Sequence, residues 1–400
     1  MNVRHHKMRS HRRRRGHRGW ALMVVVSTCL IGTSNGAQAA STGTPIHLVS
    51  LTMESTTVGW GVDRHLGGQL VHTVDGGRTW INVTPPGISL GVPTYKAMQA
   101  NSLPEPPDDT VTWVRSGSTA MTITERSHSI RGVGVLEFSE TTDSGRHWHQ
   151  WTVHLGHLAD GVIGNPSLYQ VDFVSANDGW LQFLPGSSSA ASMTILGMEL
   201  WHTTNGGRAW TRVNQISPQS GVAVSSVTFT NATTGWITES KLYHNPSLLH
   251  TTNAGHTWSH IPGMVPDGSP TFHDMAGALL VYSANGIKVR TTTSSGRRWG
   301  PPRILPGQES SVQILGSQVL SDRAGSTWWL SKNGGRTWTV QSHDEILTPN
   351  TAMYVRNTSV AWVWNTSVAW VWNERGKPST MARTTDGGRT WMSWTPTLEP

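Results

Sequence analysis

Cysteine is nearly absent from this sequence, since Cys29 is the single cysteine among 400 residues. The chain therefore forms no internal disulfide, and its stability must come from packing. Charged residues make up only 14% of the composition. Long apolar runs are also missing: the run at residues 20–32 is shorter than the roughly 20 residues that a membrane-spanning helix needs.

The first 39 residues have the order of a secretory signal peptide. Residues 1–19 hold eight of the 31 lysines and arginines and no acid, and the apolar run follows them. Ala37 and Ala39 then stand as the small residues of a cleavage site. We therefore predict a signal peptide at 1–39 and a secreted or extracytoplasmic mature chain at 40–400. Lipidation at Cys29 and twin-arginine export are the alternatives.

Most of the basic charge lies in this leader. The whole chain has a formal net charge of +7, which taken alone suggests nucleic acid or an anionic membrane as a partner. Without the leader, the chain has 23 basic and 24 acidic residues. We therefore predict no nucleic-acid partner, because such binding needs a basic face.

One octamer occurs seven times, from TVDGGRTW at 73–80 to TTDGGRTW at 384–391. Its general form is Ser/Thr-x-Asp-x-Gly-x-Thr-Trp, with Asn replacing Asp in several copies. The acidic or amide residues and the closing tryptophans are Asp75, Trp80, Asp143, Trp148, Asn205, Trp210, Asn253, Trp258, Trp299, Asn333, Trp338, Asp386 and Trp391. Successive tryptophans are 39 to 68 residues apart, and the shorter steps match a propeller blade of about 40–50 residues.

A second feature repeats with the same period. A short strand-like run with a tryptophan precedes most octamers, and the fifth repeat has GALLVYS in its place. These tryptophans are Trp60, Trp113, Trp180, Trp236, Trp328 and Trp362. We expect each to lie on the second strand of its repeat, with the octamer as the turn before the fourth strand. Because helical periodicity is absent and turn residues bound the runs, the sequence predicts an all-β fold.

The octamer has the chemistry of a tight turn. Its Asp-Gly-Gly or Asn-Gly-Gly core tolerates positive φ, as a β-hairpin requires. The Asp or Asn side chain can accept bonds from the backbone N–H groups that follow, and the leading hydroxyl can bond across the turn. The tryptophan is expected to be buried between neighbouring sheets, where its loss would cost about 3–5 kcal/mol. Seven similar turns indicate structural elements rather than seven active sites.

These octamers resemble Asp-boxes, the bacterial neuraminidase repeats of sialidases, xyloglucanases, sortilin-type receptors and photosystem II assembly factors. The pairing of a Gly-Trp strand with T-x-DGG-x-TW is most similar to the assembly-factor family. The resemblance covers about residues 46–394. It implies a seven-bladed β-propeller of four-stranded antiparallel blades with an Asp-box turn in each blade. It implies no particular activity, because this fold hosts unrelated functions.

Three places depart from the pattern. The fifth octamer has Ser294 in place of the acid and Arg298 in place of threonine, which predicts a looser turn. The stretch SDRAGSTW at 321–328 half-matches the octamer and leaves the register of the sixth repeat open. NTSVAWVW occurs twice in tandem at 357–372, and either copy can form strand or loop.

Catalytic groups are only weakly indicated. A sialidase needs an arginine triad and a tyrosine nucleophile, and the nearest candidates here are Arg303, Tyr282 and Tyr354. A glycosidase of the common kind needs two facing carboxylates about 5–9 Å apart. The acids outside the turns are its candidates, namely Asp63, Asp108, Asp109, Glu125 and Asp274.

Four histidines lie within eleven residues, at His147, His149, His154 and His157. On a strand, His147 and His149 would point to the same side, as two ligands of a metal could. No adjacent acid completes such a site, and His147 belongs to an octamer. We therefore predict a surface cluster, with no metal and no cofactor.

We expect a non-catalytic, monomeric scaffold that binds a protein or a glycan, with a glycoside hydrolase as the alternative. The assembly-factor resemblance implies peripheral association with a membrane complex. The longest stretches between octamers, 83–140 and 151–200, are the expected recognition surface. Deleting 183–195 is expected to abolish partner capture without unfolding the chain.

Overall fold

The structure is a computed structural model, and the part of the chain that it describes lies within the compact unit Thr42–Pro400. The described residues are 43–64, 68–90, 110–114, 117–125, 133–157, 167–184, 198–216, 222–224, 227–241, 245–266, 270–273, 275–283, 286–306, 312–316, 319–324, 326–343, 347, 351–356, 359–365 and 380–399. Every regular element among them is a β-strand.

Seven antiparallel sheets follow one another along the chain, and each has four main strands paired in chain order. Blade 1 has β2 (Leu48–Met53), β3 (Gly59–Asp63), β4 (Gln69–Thr73) and β5 (Thr79–Asn82). Blade 2 has β6 (Thr110–Val114), β7 (Ala120–Glu125), β8 (Val133–Thr141) and β9 (His149–His157). Blade 3 has β10 (Ser167–Phe173), β11 (Gly179–Leu184), β12 (Met198–Thr203) and β13 (Thr211–Ile216).

The first strand of blade 4 is divided into two short pieces that pair with the same neighbour. This blade has β14 (Val222–Val224), β15 (Thr228–Phe229), β16 (Gly235–Lys241), β17 (Ser247–Thr251) and β18 (Ser259–Ile261). Blade 5 has β19 (Thr271–His273), β20 (Ala276–Ser283), β21 (Gly286–Thr292) and β22 (Arg303–Ile304). Blade 6 has β23 (Gln313–Gly316), β24 (Val319–Ala324), β25 (Thr327–Ser331) and β26 (Thr339–His343). Blade 7 has β27 (Thr351–Val355), β28 (Ala361–Asn365), β29 (Met381–Thr384) and β30 (Met392–Trp394).

The seven sheets form a closed ring. First strands of neighbouring blades contact one another, as β10 contacts β6 and β2 contacts β27, so these strands lie innermost. One hydrophobic cluster joins blade 7 to blade 1 through Trp362, Met381 and Leu51. The chain is therefore a seven-bladed β-propeller, and the predicted fold class is confirmed.

Two short strands complete the closure at the outer edge of blade 1. The strand β31 (Thr397–Leu398) runs parallel to β5, and β1 (Thr44–Pro45) pairs antiparallel with β31. Trp394 adds an indole bond of 2.7 Å to the carbonyl oxygen of Gly77. Blade 1 thus becomes a six-stranded sheet that ties both ends of the described chain together.

Trp80 of the first octamer and five of the strand tryptophans are fully buried and are the largest side chains of the core. The five strand tryptophans are Trp60, Trp180, Trp236, Trp328 and Trp362. The prediction that these residues lie on second strands holds for all of them except Trp328, which lies on β25, a third strand. Trp113 is likewise on β6, a first strand. The expected position was therefore wrong for two of the six tryptophans.

The sixth blade has a serine where blades 1, 3, 4 and 7 have the second-strand tryptophan, and this explains the error. In blade 7, Trp362 pairs with Arg383, the residue before the octamer, whereas the equivalent pair of blade 6 is Ser321 with Leu330. Trp328 lies two residues before Leu330 on the third strand, and its indole N–H donates a bond of 2.8 Å to the Ser321 hydroxyl. The indole still lies at the interface with the following blade, so burial is preserved while its strand changes. SDRAGSTW therefore spans two strands, which fixes the register that the sequence left open.

Each octamer forms the turn between the third and fourth strands, with the predicted bonds. In the first copy, the Thr73 hydroxyl accepts a bond of 3.0 Å from Gly77 N, and the Asp75 carboxylate accepts from Arg78 N and Thr79 N. The bond between the fifth-position glycine and the leading hydroxyl is 2.8–3.0 Å in six copies. It lengthens to 3.2 Å at Gly296 of the fifth copy, in line with the looser turn expected there.

The fifth-position glycine of every octamer lies against the preceding blade, with φ between 78° and 94°. A Cβ at Gly207 would meet Phe138, one at Gly388 would meet Trp328, and one at Gly296 would overlap the ring of Trp236. Both the positive φ and the close approach exclude a side chain. The octamers therefore join neighbouring blades.

The octamer tryptophans pack on the same interfaces but are less buried than expected. Trp80 is fully buried, whereas the other six are half-buried against the clusters between blades: Trp148, Trp210, Trp258, Trp299, Trp338 and Trp391. The cost of losing one of these six is accordingly below the value for a fully buried ring. The main apolar burial is supplied by the strand tryptophans.

Several expectations fall on residues outside the described part of the chain. They concern the leader 1–39 with Cys29, most of the deletion 183–195, and the Pro-rich segment that contains Asp108 and Asp109. The first tandem copy of NTSVAWVW contributes β28, and the second lies outside the described residues beyond Asn365. Among the residues that the structure describes, no helix is long and apolar enough to cross a membrane.

We predict that Gly296→Ala destabilises the protein by about 2–4 kcal/mol, because the added methyl overlaps the Trp236 ring and strains a positive φ. Gly87→Ala is the matched control, since Gly87 has φ of 77° and nothing within 4 Å of an added Cβ. It should lose about 1 kcal/mol. Urea unfolding measures both variants, and equal losses would show that the glycine contact between blades is unimportant.

Candidate functional site

A cavity of about 650 Å³ lies along the inner strands of blades 5, 6 and 7. Its lining is mostly uncharged and comes from β19, β23 and β27, with Thr271, Gln313 and Leu315 among its residues. Tyr354 and Arg356 supply its polar groups at the blade 7 side. This size is within the usual range for a ligand pocket, so the cavity is the candidate functional site.

Tyr354 and Arg356 connect this cavity to blade 1. The Tyr354 hydroxyl donates a bond of 3.1 Å to the carbonyl oxygen of Met53, and Arg356 donates to the same oxygen and to that of Glu54. Burial raises the pKa of the Tyr354 hydroxyl. The bond to Met53 O engages the hydroxyl proton of Tyr354 and holds blade 7 against blade 1.

Gln313 connects blade 6 to blade 7 within the same cavity. Its side-chain N–H donates a bond of 3.0 Å to the carbonyl oxygen of Met353, and its oxygen accepts a bond of 3.1 Å from Val355 N. The side-chain amide of Gln313 thus donates and accepts as a backbone peptide group of a paired strand would. Sequence reasoning missed this residue, because a single glutamine carries no motif.

Asp172 makes a similar connection between blades 3 and 4. It lies on the inner strand β10, and one of its oxygens accepts a bond of 2.9 Å from Phe229 N. Burial raises the pKa of Asp172 to about 6, and the bond from Phe229 N lowers it only in part. The sequence offered no signal for this shift, because its cause is desolvation by the neighbouring blade.

The glycosidase candidates that the structure describes are buried and bonded to backbone. Asp63 accepts a bond of 2.7 Å from His47 N within blade 1. Glu125 of blade 2 accepts a bond of 2.6 Å from Leu168 N of blade 3. Asp108, Asp109 and Asp274 lie outside the described residues.

The sialidase-type candidates lie on different layers of the ring. Tyr354 is on an inner strand, whereas Arg303 is on β22, the outer strand of blade 5. Tyr282 is on β20, a second strand, and its side chain lies outside the described set. The structure therefore does not bring Arg303 and Tyr354 together at the cavity.

The histidine cluster lies on the outer strand of blade 2 and its preceding turn. His147 is exposed and contacts the Asp143 carboxylate at 2.6 Å, and His149 stacks on Trp151. Across the described residues, no three His, Cys, Asp or Glu side chains are grouped as metal ligands would be.

Sequence reasoning also missed three histidines that contact the buried strand tryptophans, His72 edge-on and His202 and His250 by stacking. The pairs are His72 with Trp60, His202 with Trp180 and His250 with Trp236, with ring centroids 4.0–4.6 Å apart. Desolvation lowers the pKa of all three imidazoles, so neutral rings are favoured at the interfaces. Their role is structural, since each ring extends the hydrophobic surface of a tryptophan.

A scan of protein-family models finds no match, and a search of curated proteins finds no relative. Solved structures share the architecture at low identity. The chain is similar to a puromycin hydrolase, with a TM-score of 0.52, 8% identity, and coverage of 88% of this chain and 55% of that one. For prolyl oligopeptidase B from Galerina marginata the values are 0.51, 9%, 88% and 51%. For YCF48 bound to D1 peptide they are 0.47, 14%, 80% and 90%.

These likenesses show the fold alone. The chain spans about half the length of the hydrolase and of the oligopeptidase that it resembles. Their activities therefore say nothing about the cavity of this propeller, whose chemistry must be argued from its own residues.

We predict that Asp172→Asn stabilises the protein by about 1–3 kcal/mol at pH 8. The folded-state pKa of about 6 lies above the ordinary aspartate value of 3.8, so the folded protein binds the proton more tightly than the unfolded chain does. Stability from this group is present at low pH and is lost as pH rises through about 6. Asparagine can still accept the bond from Phe229 N without carrying a charge.

Thermal unfolding at several pH values compares the variant with the parent protein. The difference in melting temperature should be largest near pH 8 and vanish below about pH 4. Taking the difference removes the contribution of the histidines that contact the tryptophans, which both proteins share. A difference that does not change with pH would show that Asp172 does not titrate as described.

Proposed function

We propose that this protein is a non-catalytic binding scaffold that captures a protein partner through the inner-strand cavity. The proposal rests on one observation: the polar side chains around the inner strands are already engaged in hydrogen bonds between blades. Glu125, Asp172, Gln313, Tyr354 and Arg356 each bond to the backbone of the neighbouring blade. Groups committed in this way hold the ring together and are poorly placed for proton transfer to a substrate.

The cavity suits an uncharged peptide segment. Its lining offers apolar surface from Phe272, Ile314 and Leu315 beside the amide of Gln313 and the hydroxyl of Thr271. Inner strands also present the unpaired edge of each sheet to the centre of the ring, where an extended chain can form backbone bonds.

We further propose that the octamers are Asp-boxes in the sense of the resemblance above, with a structural role.

We predict that Thr271→Trp reduces peptide binding at least about tenfold while leaving the melting temperature unchanged. Thr271 is exposed and lines the cavity, so an indole there fills space without displacing a buried contact. Thr211→Trp is the matched control, because Thr211 is also exposed but lies on the outer strand β13. Titration calorimetry with peptides selected from a random displayed library measures the effect.

Equal binding by the two variants would contradict a site in the cavity. Turnover of fluorogenic glycosides by the purified protein, abolished by Thr271→Trp but not by Thr211→Trp, would replace the scaffold with the glycoside-hydrolase alternative. A library that yields no binder, with no turnover, would also reject the proposal for uncharged peptides.

We also propose that the protein is exported by way of residues 1–39. Its basic head, apolar middle and Ala37-x-Ala39 exit support this. Expression of the full chain with a C-terminal tag should give a product outside the cytoplasm whose amino-terminal residue is Ala40. Amino-terminal sequencing checks this, and a cytoplasmic product that retains Met1 would refute it.

A further inference from the structure

The closure of the ring provides a template for strand addition at an octamer. After the outer strand of blade 7, the chain continues along the edge of blade 1, and Thr397 N donates a bond of 3.1 Å to Arg78 O. Glu399 N donates a bond of 2.8 Å to Trp80 O, and the Glu399 carboxylate accepts from the Thr79 hydroxyl at 3.0 Å. An extended acidic segment thus pairs with the last three residues of the first octamer.

The chain that leaves blade 5 follows the same path as the chain that leaves blade 7, as far as Pro306. Arg303 pairs with Val289, three residues before the fifth octamer, as Trp394 pairs with Met381 three residues before the seventh. Three residues further on stand Pro306 and Thr397, respectively. Because proline has no N–H, Pro306 cannot make the bond that Thr397 makes. Pro306 therefore does not pair with the edge of blade 6 as Thr397 pairs with the edge of blade 1, and residues 307–311 lie outside the described part of the chain.

A cavity of about 480 Å³ is present where that strand would run. It lies between Pro302, Ile304 and Pro306 of blade 5 and the octamer residues Arg336, Thr337 and Trp338 of blade 6. Ile304 is 72% exposed, which is the highest value among the large hydrophobic residues that the structure describes. Of the donors that the structure describes, none is bonded to the carbonyl oxygen of Arg336 or Trp338.

The charges and hydroxyl of this cavity fit a carboxylate. Arg303 and Arg336 line it, and its lining contains no acid. Asn333 donates its side-chain N–H to the Thr337 hydroxyl oxygen at 2.8 Å, which leaves the hydroxyl proton of Thr337 available to an acceptor. In blade 1, the equivalent hydroxyl of Thr79 already bonds to Glu399.

The corresponding junction between blades 1 and 2 is covered by the chain itself. Ile88 and Leu90 pack with Trp148 of the second octamer. Gln150 donates a bond of 3.3 Å to the carbonyl oxygen of Pro86 across the same junction. The cavity beside blade 6 is therefore not a general consequence of the octamer.

We propose that the cavity between blades 5 and 6 binds an extended, acidic peptide segment of a partner protein. The segment adds as a strand parallel to the last residues of the sixth octamer, donates backbone N–H groups to Arg336 O and Trp338 O, and places a carboxylate beside Arg336 and Thr337. This site is on the outer edge of the ring and is independent of the inner-strand cavity.

The probe is a fluorescein-labelled peptide TPTLEP, the sequence of residues 395–400, added to the purified protein and followed by fluorescence anisotropy. We expect saturable binding that Arg336→Glu weakens at least about fivefold. Arg208→Glu is the matched control, since Arg208 is also exposed at the same octamer position in blade 3, and it should bind like the parent protein. Circular dichroism and the melting temperature verify that both variants are folded.

Two altered peptides separate strand addition from simple charge attraction. TPTLKP should lose the carboxylate contact, and TPTLEP methylated at the glutamate nitrogen should bind about tenfold more weakly because it lacks the N–H for Trp338 O. Equal binding of the methylated peptide would reject strand addition.

The proposal is overturned if the parent protein shows no saturable binding, or if Arg336→Glu and Arg208→Glu bind equally. It is also overturned if Arg78→Glu, rather than Arg336→Glu, abolishes binding, because the peptide would then be replacing residues 397–399 in blade 1. Thr271→Trp should leave this binding unchanged, so failure here is distinguishable from failure of the inner-strand cavity.

Discussion

The structure depends on the close contact between the fifth-position glycine of each octamer and the preceding blade. This glycine adopts a positive φ, its N–H bonds to the leading hydroxyl of the octamer, and its Cα faces a side chain of the preceding blade. The local turn and the interface between blades are thereby specified by the same residue. Because such contacts join each blade to its neighbour, the interfaces between blades add to the stability of the single blades.

Polar connections between inner strands act alongside this apolar contact. Asp172, Gln313 and Tyr354 each bond to the backbone of the next blade, at three different junctions. Such bonds lock neighbouring blades in a single register, at a cost in desolvation that is clearest for Asp172. These bonds also engage the hydrogen-bonding and titratable side chains near the inner strands. We therefore favour binding over catalysis.

The sequence could predict the features whose causes are local. The octamer holds its whole turn within eight residues, so its bonds and its place between two strands followed from chemistry alone. The strand of Trp328 could not be predicted, because Ser321 occupies the tryptophan position of the second strand and the indole reaches the same interface from the third strand. The raised pKa of Asp172 and the bridging role of Gln313 depend on the neighbouring blade, which no local pattern encodes. The cavity beside Pro306 depends on a proline standing where blade 7 has Thr397, and no local motif marks that position.

The central claim is that the octamers hold blades together and are not ligand loops. Native-state hydrogen exchange tests this most directly at the amide groups of the seven fifth-position glycines, from Gly77 to Gly388. We predict that these amides exchange only through global unfolding, with free energies close to that of the whole protein. Exchange by local opening at low free energy in most octamers would contradict the account, because it would show that the turns open while the ring stays closed.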